Sequence, residues 1–236
     1  MRKVYELDGR DIAPTPMEIL LWQKMPEHSV PPGIARLMNH AIELFQDLAQ
    51  PRGLVEGFGI ADFPDIYKGK GMNAPDGPIP SIVARADAAA FMAATMGDTL
   101  SEKCSELFAH GRAALGYMLN VVSSIASELL GRRMCHIFLE RLRSKSHEVN
   151  DIKVQYYCPG HCGWHISGQE KLFTALCPDE IGILLDANWV MRPFKSISGI
   201  MVAAPIETHR FTRGFSFCPQ CMELKCVERL KLLEAD

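Results

Sequence analysis

The chain has 236 residues, of which 47% are hydrophobic and 22% are charged, with a formal net charge of -3. This composition is ordinary for a globular protein that can bury a core, and its slight acidity argues against a surface built to bind nucleic acid. The N-terminal residues MRKVYELDGRD lack the apolar segment of a signal peptide. We therefore expect a cytoplasmic protein in which the eight cysteines serve metal or redox chemistry.

The first third of the chain predicts a short strand, two helices and then loops. Residues 1–7 have the pattern of a strand, and the segments MEILLWQKM and Ile34–Leu48 carry apolar residues at helical spacing. Arg52–Asp87 is rich in glycine and proline and has no sustained period, which predicts loops with one or two short strands that form a rim or lid. We interpret residues 1–87 as an N-terminal segment of helices and loops.

The middle of the chain predicts one buried strand followed by two helices. Ala88–Gly97 is a continuous apolar run of strand length, and Thr99 with Glu102 matches a capping box that would start a helix. After Gly111, the apolar face of residues 112–143 predicts a long helix. The polar and charged residues that interrupt this helix favour a core position over a membrane span.

The last part of the chain predicts short strands and one short helix. We expect strands at Ile152–Tyr157, Ile181–Leu185 and Ile197–Ala203, and a helix at Gln169–Leu176. Helices dominate the first part and strands the last, without regular βαβ alternation, so the pattern indicates an α+β fold. We expect residues 88–236 to form the core with its C-terminal tail, in one structural unit with the segment before it.

A Cys-Pro-Gly-His-Cys turn follows the strand predicted before it. Pro159 and Gly160 favour a tight bend that would bring Cys158, His161 and Cys162 toward a common point. Thiolates and imidazoles arranged in this way suit zinc or iron. The alternative is a turn whose cysteines only pack as small hydrophobic side chains. The turn alone does not decide between a metal site and packing.

The C-terminal segment FCPQCMELKCVER adds a cluster of three cysteines, Cys218, Cys221 and Cys226. Such a cluster in a charged segment favours a zinc or iron–sulfur site over a core, although it lacks a fourth ligand. Cys158 or Cys162 is the candidate to complete it. A disulfide framework is the alternative, and that framework requires an oxidising compartment.

The order of several short motifs resembles a known family. The chain contains, in sequence, the motifs PGHCGW, QEKLF, IGILL and PFKSISGI. They resemble the reactivation domain of cobalamin-dependent methionine synthase, and more closely its short stand-alone relatives, many of which carry a cysteine-rich tail. The resemblance covers about residues 88–229. It implies a C-shaped α+β unit with a twisted antiparallel sheet.

The resemblance also implies a site for S-adenosylmethionine beside the cobalamin of a partner domain, where one electron and the donor's methyl group restore methylcobalamin. In the family an arginine and a tyrosine, in the pattern R-x-x-x-G-Y, help to hold the donor. Here those positions fall on Tyr156 and His161, with only Gly160 kept, and the family's acidic residue falls on Ala187 beside Asp186. Tyrosine cannot replace the bidentate charge-assisted bond of arginine, so a contact to the donor carboxylate is lost.

The sequence leaves three functions open. The first is an accessory protein of corrinoid metabolism that docks on a corrinoid protein or a cobalamin-dependent methyltransferase and reactivates its cobalt through a Cys-ligated iron–sulfur centre. The second is a non-catalytic, zinc-stabilised module that binds a corrinoid or a partner protein. The third is S-adenosylmethionine-dependent methyl transfer to cobalamin. No nucleic-acid or membrane partner is expected.

The candidate cofactor-binding residues all belong to the cysteine turn or to the predicted strands near it: Tyr156, Gly160, His161, Trp164, His165 and Asp186. Trp164 is expected either to anchor packing or to form the floor of a ligand pocket. For the two histidines, the alternative to a ligand contact is a loop position with hydrogen bonds to the backbone.

Overall fold

A computed structural model describes residues 2–26, 30–144, 151–210 and 214–218. The helices are α1 (Pro16–Trp22), α2 (Pro32–Leu48), α3 (Phe63–Lys68), α4 (Ile79–Val83), α5 (Thr99–Ala109), α6 (Ala113–Arg143), α7 (Gly168–Leu176) and α8 (Ile206–His209). The strands are β1 (Arg2–Glu6), β2 (Arg52–Gly57), β3 (Ala88–Thr95), β4 (Ile152–Tyr157), β5 (Leu184–Leu185), β6 (Met191–Arg192) and β7 (Ser196–Pro205). Short 3-10 helices lie at Gly9–Ile12, Ile60–Asp62 and Pro178–Ile181.

Within these residues, a five-stranded sheet runs in the order β1-β2-β3-β7-β4, and each neighbouring pair is antiparallel. Side chains of the central strand β3 alternate between the two faces of the sheet. Met92 and Ala94 face one hydrophobic core, and Phe91 and Ala93 face another. Because both faces are buried, β3 is continuously apolar and lacks the alternation of a half-exposed strand.

Helices cover both faces of the sheet. Helices α1, α2, α5 and α6 pack on one face and form what we call the first core. Helices α3, α4 and α7 pack on the other face and form the second core. The sheet therefore lies between two helical layers, and the buried apolar residues of β2, β3, β4 and β7 belong to one core or the other according to the face on which they lie.

The long helix α6 is the main element of the first core and contacts α2, α5 and β4. Of the described helices, it is the one long and apolar enough to cross a membrane, and 56% of its most apolar window is buried inside the protein. At Gly131 the missing side chain lets α6 lie close to β4, because an added Cβ would be 2.9 Å from the ring of Tyr156. The helix thus packs along the sheet as a core helix does.

The predicted α+β fold with an antiparallel sheet is confirmed. The structure differs from the prediction at Arg52–Asp87, which contains the two short helices α3 and α4 in addition to β2. A proline lies in the first turn of each helix, and buried residues such as Phe63 and Ile82 hold the helices on the second core. Helices this short lack a detectable period, so the sequence pattern missed them.

Two further predictions are wrong. Ile181–Leu185 is not a buried strand: Ile181 ends a 3-10 helix, Gly182 has a φ of 80°, and the two residues of β5 pair with β6 in a separate hairpin. The predicted capping box is also absent, because Thr99 is already helical and the N-cap residue Asp98 makes no side-chain cap bond.

Candidate functional site

The loop that follows β4 is folded by its own backbone hydrogen bonds. The His161 N–H donates to the Cys158 carbonyl at 3.2 Å, and the Gly160 N–H donates to the Trp164 carbonyl at 2.7 Å. Gly160 and Gly163 have φ values of 95° and 77°, a region that glycine occupies without steric cost. These bonds compact the loop into two successive turns and fix where Trp164 enters the core.

A second segment, residues 72–77, is bonded to this loop from the other side. The Asn73 Oδ1 accepts the backbone N–H of His165 at 2.9 Å, while its Nδ2 donates to the Tyr67 carbonyl at 2.6 Å. The Ala74 N–H donates to the Gly163 carbonyl at 2.9 Å. Asn73 therefore joins two chain segments about ninety positions apart, and both of its polar side-chain atoms are engaged.

A cavity of about 520 Å³ lies between these segments and borders the second core. Most of its lining side chains are apolar, and no Asp, Glu, Lys or Arg of the described residues lines it. The lining residues come from the two loops and the C-terminal segment: Met72, Asn73, Ala74, Gly160, Cys162, Gly163, Trp164, His165, Ile166 and Phe217. Gly160, Cys162, Trp164 and His165, which the sequence singled out, are thus brought together here.

An aromatic cluster of Phe63, Tyr67 and Trp164 lies beside the cavity. Trp164 is 1% exposed and packs edge-on against Phe63, with Tyr67 at a ring-centroid distance of 5.6 Å. Two buried polar atoms in this cluster, Trp164 Nε1 and the Tyr67 hydroxyl, have no hydrogen-bond partner among the described residues. Burial, with smaller effects of Cys162 and Asp76, raises the pKa of Tyr67 to about 12. Trp164 is therefore both a packing anchor and part of the cavity wall.

His165 presents a defined tautomer. Its Nδ1 accepts the backbone N–H of Ser167 at 3.1 Å and lies 3.0 Å from the Ser167 hydroxyl. In the neutral ring the proton is therefore on Nε2, which is a hydrogen-bond donor. The edge of the ring contacts Trp189 at a centroid distance of 6.0 Å.

The rim next to His165 is held by a charged and aromatic contact. Lys70 Nζ lies 3.0 Å from the Glu170 carboxylate and 5.0 Å from the centroid of the Trp189 ring. The Trp189 Nε1–H donates to the same carboxylate at 3.3 Å. These bonds, with that from Lys70 the stronger, hold the pKa of Glu170 below its ordinary value. None of these three residues was predicted to belong to the site. Lys70 and Trp189 lie in none of the motifs, and Glu170, although part of QEKLF, is distant in sequence from both.

No protein-family model matches the chain, and no curated protein is significantly similar to it in sequence. Thirteen chains among the solved structures match its fold. One is the crystal structure of the MetH reactivation domain bound to AdoHcy, with a TM-score of 0.60 and 14% sequence identity. The match covers 100% of this chain and 88% of that chain. The chain has the fold of the MetH reactivation domain.

On this reactivation-domain fold, three of the expected cofactor-binding residues do not line the cavity, namely Tyr156, Asp186 and His161. Tyr156, at the position of the family's arginine, is 7% exposed and belongs to the first core, on the opposite face of the sheet. Asp186 closes the β5–β6 turn, where its Oδ1 accepts the backbone N–H groups of Val190 and Asn188 at 3.0 and 2.8 Å. These two bonds hold the pKa of Asp186 below its ordinary value. His161 is not among the residues that line the cavity.

The two cysteines of the turn belong to different cores. Cys158 packs against the first core, whereas Cys162 is 6% exposed in the second core. The described residues contain no group of three His, Cys, Asp or Glu side chains placed to hold a metal ion. Of the tail cysteines only Cys218 lies within the described residues, next to the cavity residue Phe217. Cys221 and Cys226 lie outside them, so a site that includes these cysteines stays a prediction.

Proposed function

We propose that the protein is an accessory protein of a corrinoid-dependent enzyme. It docks on a corrinoid protein or a cobalamin-dependent methyltransferase and helps to return the oxidised cobalt to its working state. The full-length fold match to the MetH reactivation domain is the observation that carries this proposal. The cavity supports it as well, because it is built on the loop that carries the family-like Pro-Gly motif.

The cavity chemistry favours a role other than binding the full methyl donor. The MetH reactivation domain was crystallised with AdoHcy, whose amino-acid part carries a carboxylate. Here the described cavity wall has no cation to pair with a carboxylate, and Tyr156 is buried on the other face of the sheet. We therefore rank S-adenosylmethionine-dependent methyl transfer below reductive reactivation.

The proposed metal centre uses the tail cysteines, with one ligand from the loop. Cys218, Cys221 and Cys226 would supply three thiolates. Among the two candidates for the fourth, we favour Cys162, because it lines the same cavity as Phe217, the residue before Cys218. A four-thiolate set suits an iron–sulfur cluster, which carries single electrons, or zinc, which does not. Zinc would make the protein a structural module that binds a corrinoid or a partner protein.

The first experiment measures iron, sulfide and zinc in protein purified without oxygen, together with its visible spectrum. We expect iron and sulfide in the wild type, and loss of both in Cys218→Ser and Cys162→Ser. Cys158→Ser and the buried Cys104→Ser are matched controls that should keep the metal. Zinc alone would support the structural module, and a metal-free wild type would contradict the centre altogether.

The second experiment addresses the corrinoid role directly. The protein is reduced, freed of excess reductant and mixed with aquacobalamin, while the cobalt(III) absorbance is followed. We expect reduction by the wild type and none by Cys162→Ser. Calorimetric titration with AdoHcy is the companion measurement. Micromolar binding would favour methyl transfer, whereas no binding agrees with the lack of a Lys or Arg among the described cavity residues.

A further inference from the structure

The C-terminal segment 214–218 is fastened to the mouth of the cavity by one residue. The Ser216 backbone N–H donates to Oδ2 of Asp76 at 2.6 Å, and the Ser216 hydroxyl donates to Oδ1 at 2.7 Å. These two bonds hold the pKa of Asp76 below its ordinary value. Bonds to an ionised carboxylate are stronger than bonds between neutral groups, so Asp76 is a directional anchor for the segment.

The next residue along the segment forms part of the cavity wall. The Phe217 ring lies so close to Gly163 that an added Cβ would be 2.9 Å from it, and Ala74 is at 3.0 Å from the same point. Phe217 also stacks on Phe215, with ring centroids 5.4 Å apart and planes within 3°. The Cys218 N–H donates back to the Phe215 carbonyl at 3.0 Å, which closes the segment into a turn.

The segment differs from the rest of the wall in how it is held. Loops 72–77 and 160–166 are joined to each other by backbone and amide hydrogen bonds and pack on the second core. Segment 214–218, by contrast, is bonded to the exposed Asp76 and contributes the half-buried Phe217 to the cavity. Local opening starts at elements whose hydrogen bonds are exposed to solvent.

We propose that residues 214–218 are a strap that closes the cavity and opens as a unit when the Asp76–Ser216 contact breaks. Access to Cys162, Trp164 and His165 then depends on whether the strap is closed. The strap rests on the contacts described above and does not depend on the corrinoid role, so either can fail without the other. Opening the strap would also carry Cys218 away from the cavity.

Amide hydrogen exchange of the intact protein tests the strap, with Asp76→Asn as the variant and Asp65→Asn as the control. Both aspartates are exposed, and both substitutions remove one negative charge at constant size. We expect exchange in residues 214–218 to accelerate about tenfold in Asp76→Asn and to remain unchanged in Asp65→Asn. Equal exchange in the two variants would overturn the anchor.

The exchange rates of residues 160–166 in the same experiment show whether the strap covers the cavity. If the strap covers the cavity, these residues exchange faster in Asp76→Asn as well. Acceleration confined to 214–218 would mean that the segment covers nothing and would overturn the proposal. Phe217→Ala removes the wall residue and leaves Asp76 and Ser216 in place. It should accelerate exchange in 160–166, whereas the exposed Phe108→Ala should have no such effect.

Discussion

The hydroxyl of Tyr157 lies 2.9 Å from Nδ1 of His209 in the interior of the protein. His209 is 0% exposed, and its Nε2 lies 3.3 Å from the Lys153 carbonyl oxygen. Because Nε2–H donates to that carbonyl, Nδ1 of the neutral buried ring accepts a hydrogen bond from the Tyr157 hydroxyl. This pair ties α8 to β4, the strand from which the candidate loop departs.

The neutral His209 makes stability depend on pH. Burial lowers the pKa of His209 in the folded protein, against a smaller opposite effect of the Lys153 carbonyl. The unfolded chain therefore takes up the proton first, and the free energy of unfolding falls as the pH drops below about 6.5, by up to about 1.4 kcal/mol per pH unit. Urea unfolding between pH 5 and 8 measures this slope. His209→Gln should flatten it, and the exposed His136→Gln should leave it unchanged.

Removing the Tyr157 hydroxyl tests the other half of the pair. Tyr157→Phe deletes the donor and leaves Nδ1 of His209 buried without it, which should lower the free energy of unfolding by about 1–3 kcal/mol at pH 7.5. Chemical denaturation provides the measurement. Tyr117→Phe is the matched control, since Tyr117 is 57% exposed and should change stability little. Equal effects of the two substitutions would mean that the bond contributes nothing.

Gly168 supports the position of Trp164. An added Cβ would be 2.8 Å from Cε2 of the indole and would collide with its Nε1. Because Trp164 is buried, it cannot move away freely, and Gly168→Ala should cost about 1–3 kcal/mol and shift the tryptophan fluorescence. Gly33→Ala is the control, because a Cβ there meets nothing within 4 Å. That helical substitution should be neutral or stabilise by up to about 1 kcal/mol.

Lys195 is partly buried, and burial of its charged amino group lowers the stability of the fold. Its Nζ donates to the Ser124 hydroxyl at 2.8 Å, and burial lowers the pKa of Lys195 despite the opposing effect of Cys104. Since the charged form is disfavoured in the folded state, Lys195→Met should raise the free energy of unfolding at pH 7 by up to about 1 kcal/mol. Ser124 still donates to the Asn120 carbonyl at 2.9 Å. The exposed Lys68→Met is the control, and a loss of stability in Lys195→Met would contradict the argument.

The sequence predicted the elements whose signal is local and strong. The apolar run of β3 and the long apolar stretch of α6 were identified because extensive burial of an element requires many apolar residues close together in the sequence. The hairpin of β5 and β6 has no such pattern in the sequence. Leu184 is 62% exposed, and the chain turns before β5 because Gly182 has a φ of 80°. Its apolar composition therefore suggested a buried strand.

The candidate site was predictable only where its residues are contiguous. Trp164 and His165 follow the cysteine turn directly, so one motif identified them together. Asn73 and Phe217 reach the same cavity from distant parts of the chain, and no spacing rule connects them. Tyr156 was assigned to the site by family position, but strand alternation turns it to the opposite face from Tyr157. The parity of β4 would have revealed this.

The place of β4 at one end of the sheet order has a consequence for how such a protein diverges. The loop after an outer strand is bounded by a single neighbouring strand, so residues can be exchanged or inserted in it without shifting the register of any pairing. Cysteines such as Cys158 and Cys162 can then be added there while the scaffold stays the same. A fold shared over the full length of this chain at only 14% identity fits a scaffold that keeps its strands and helices while its sequence changes.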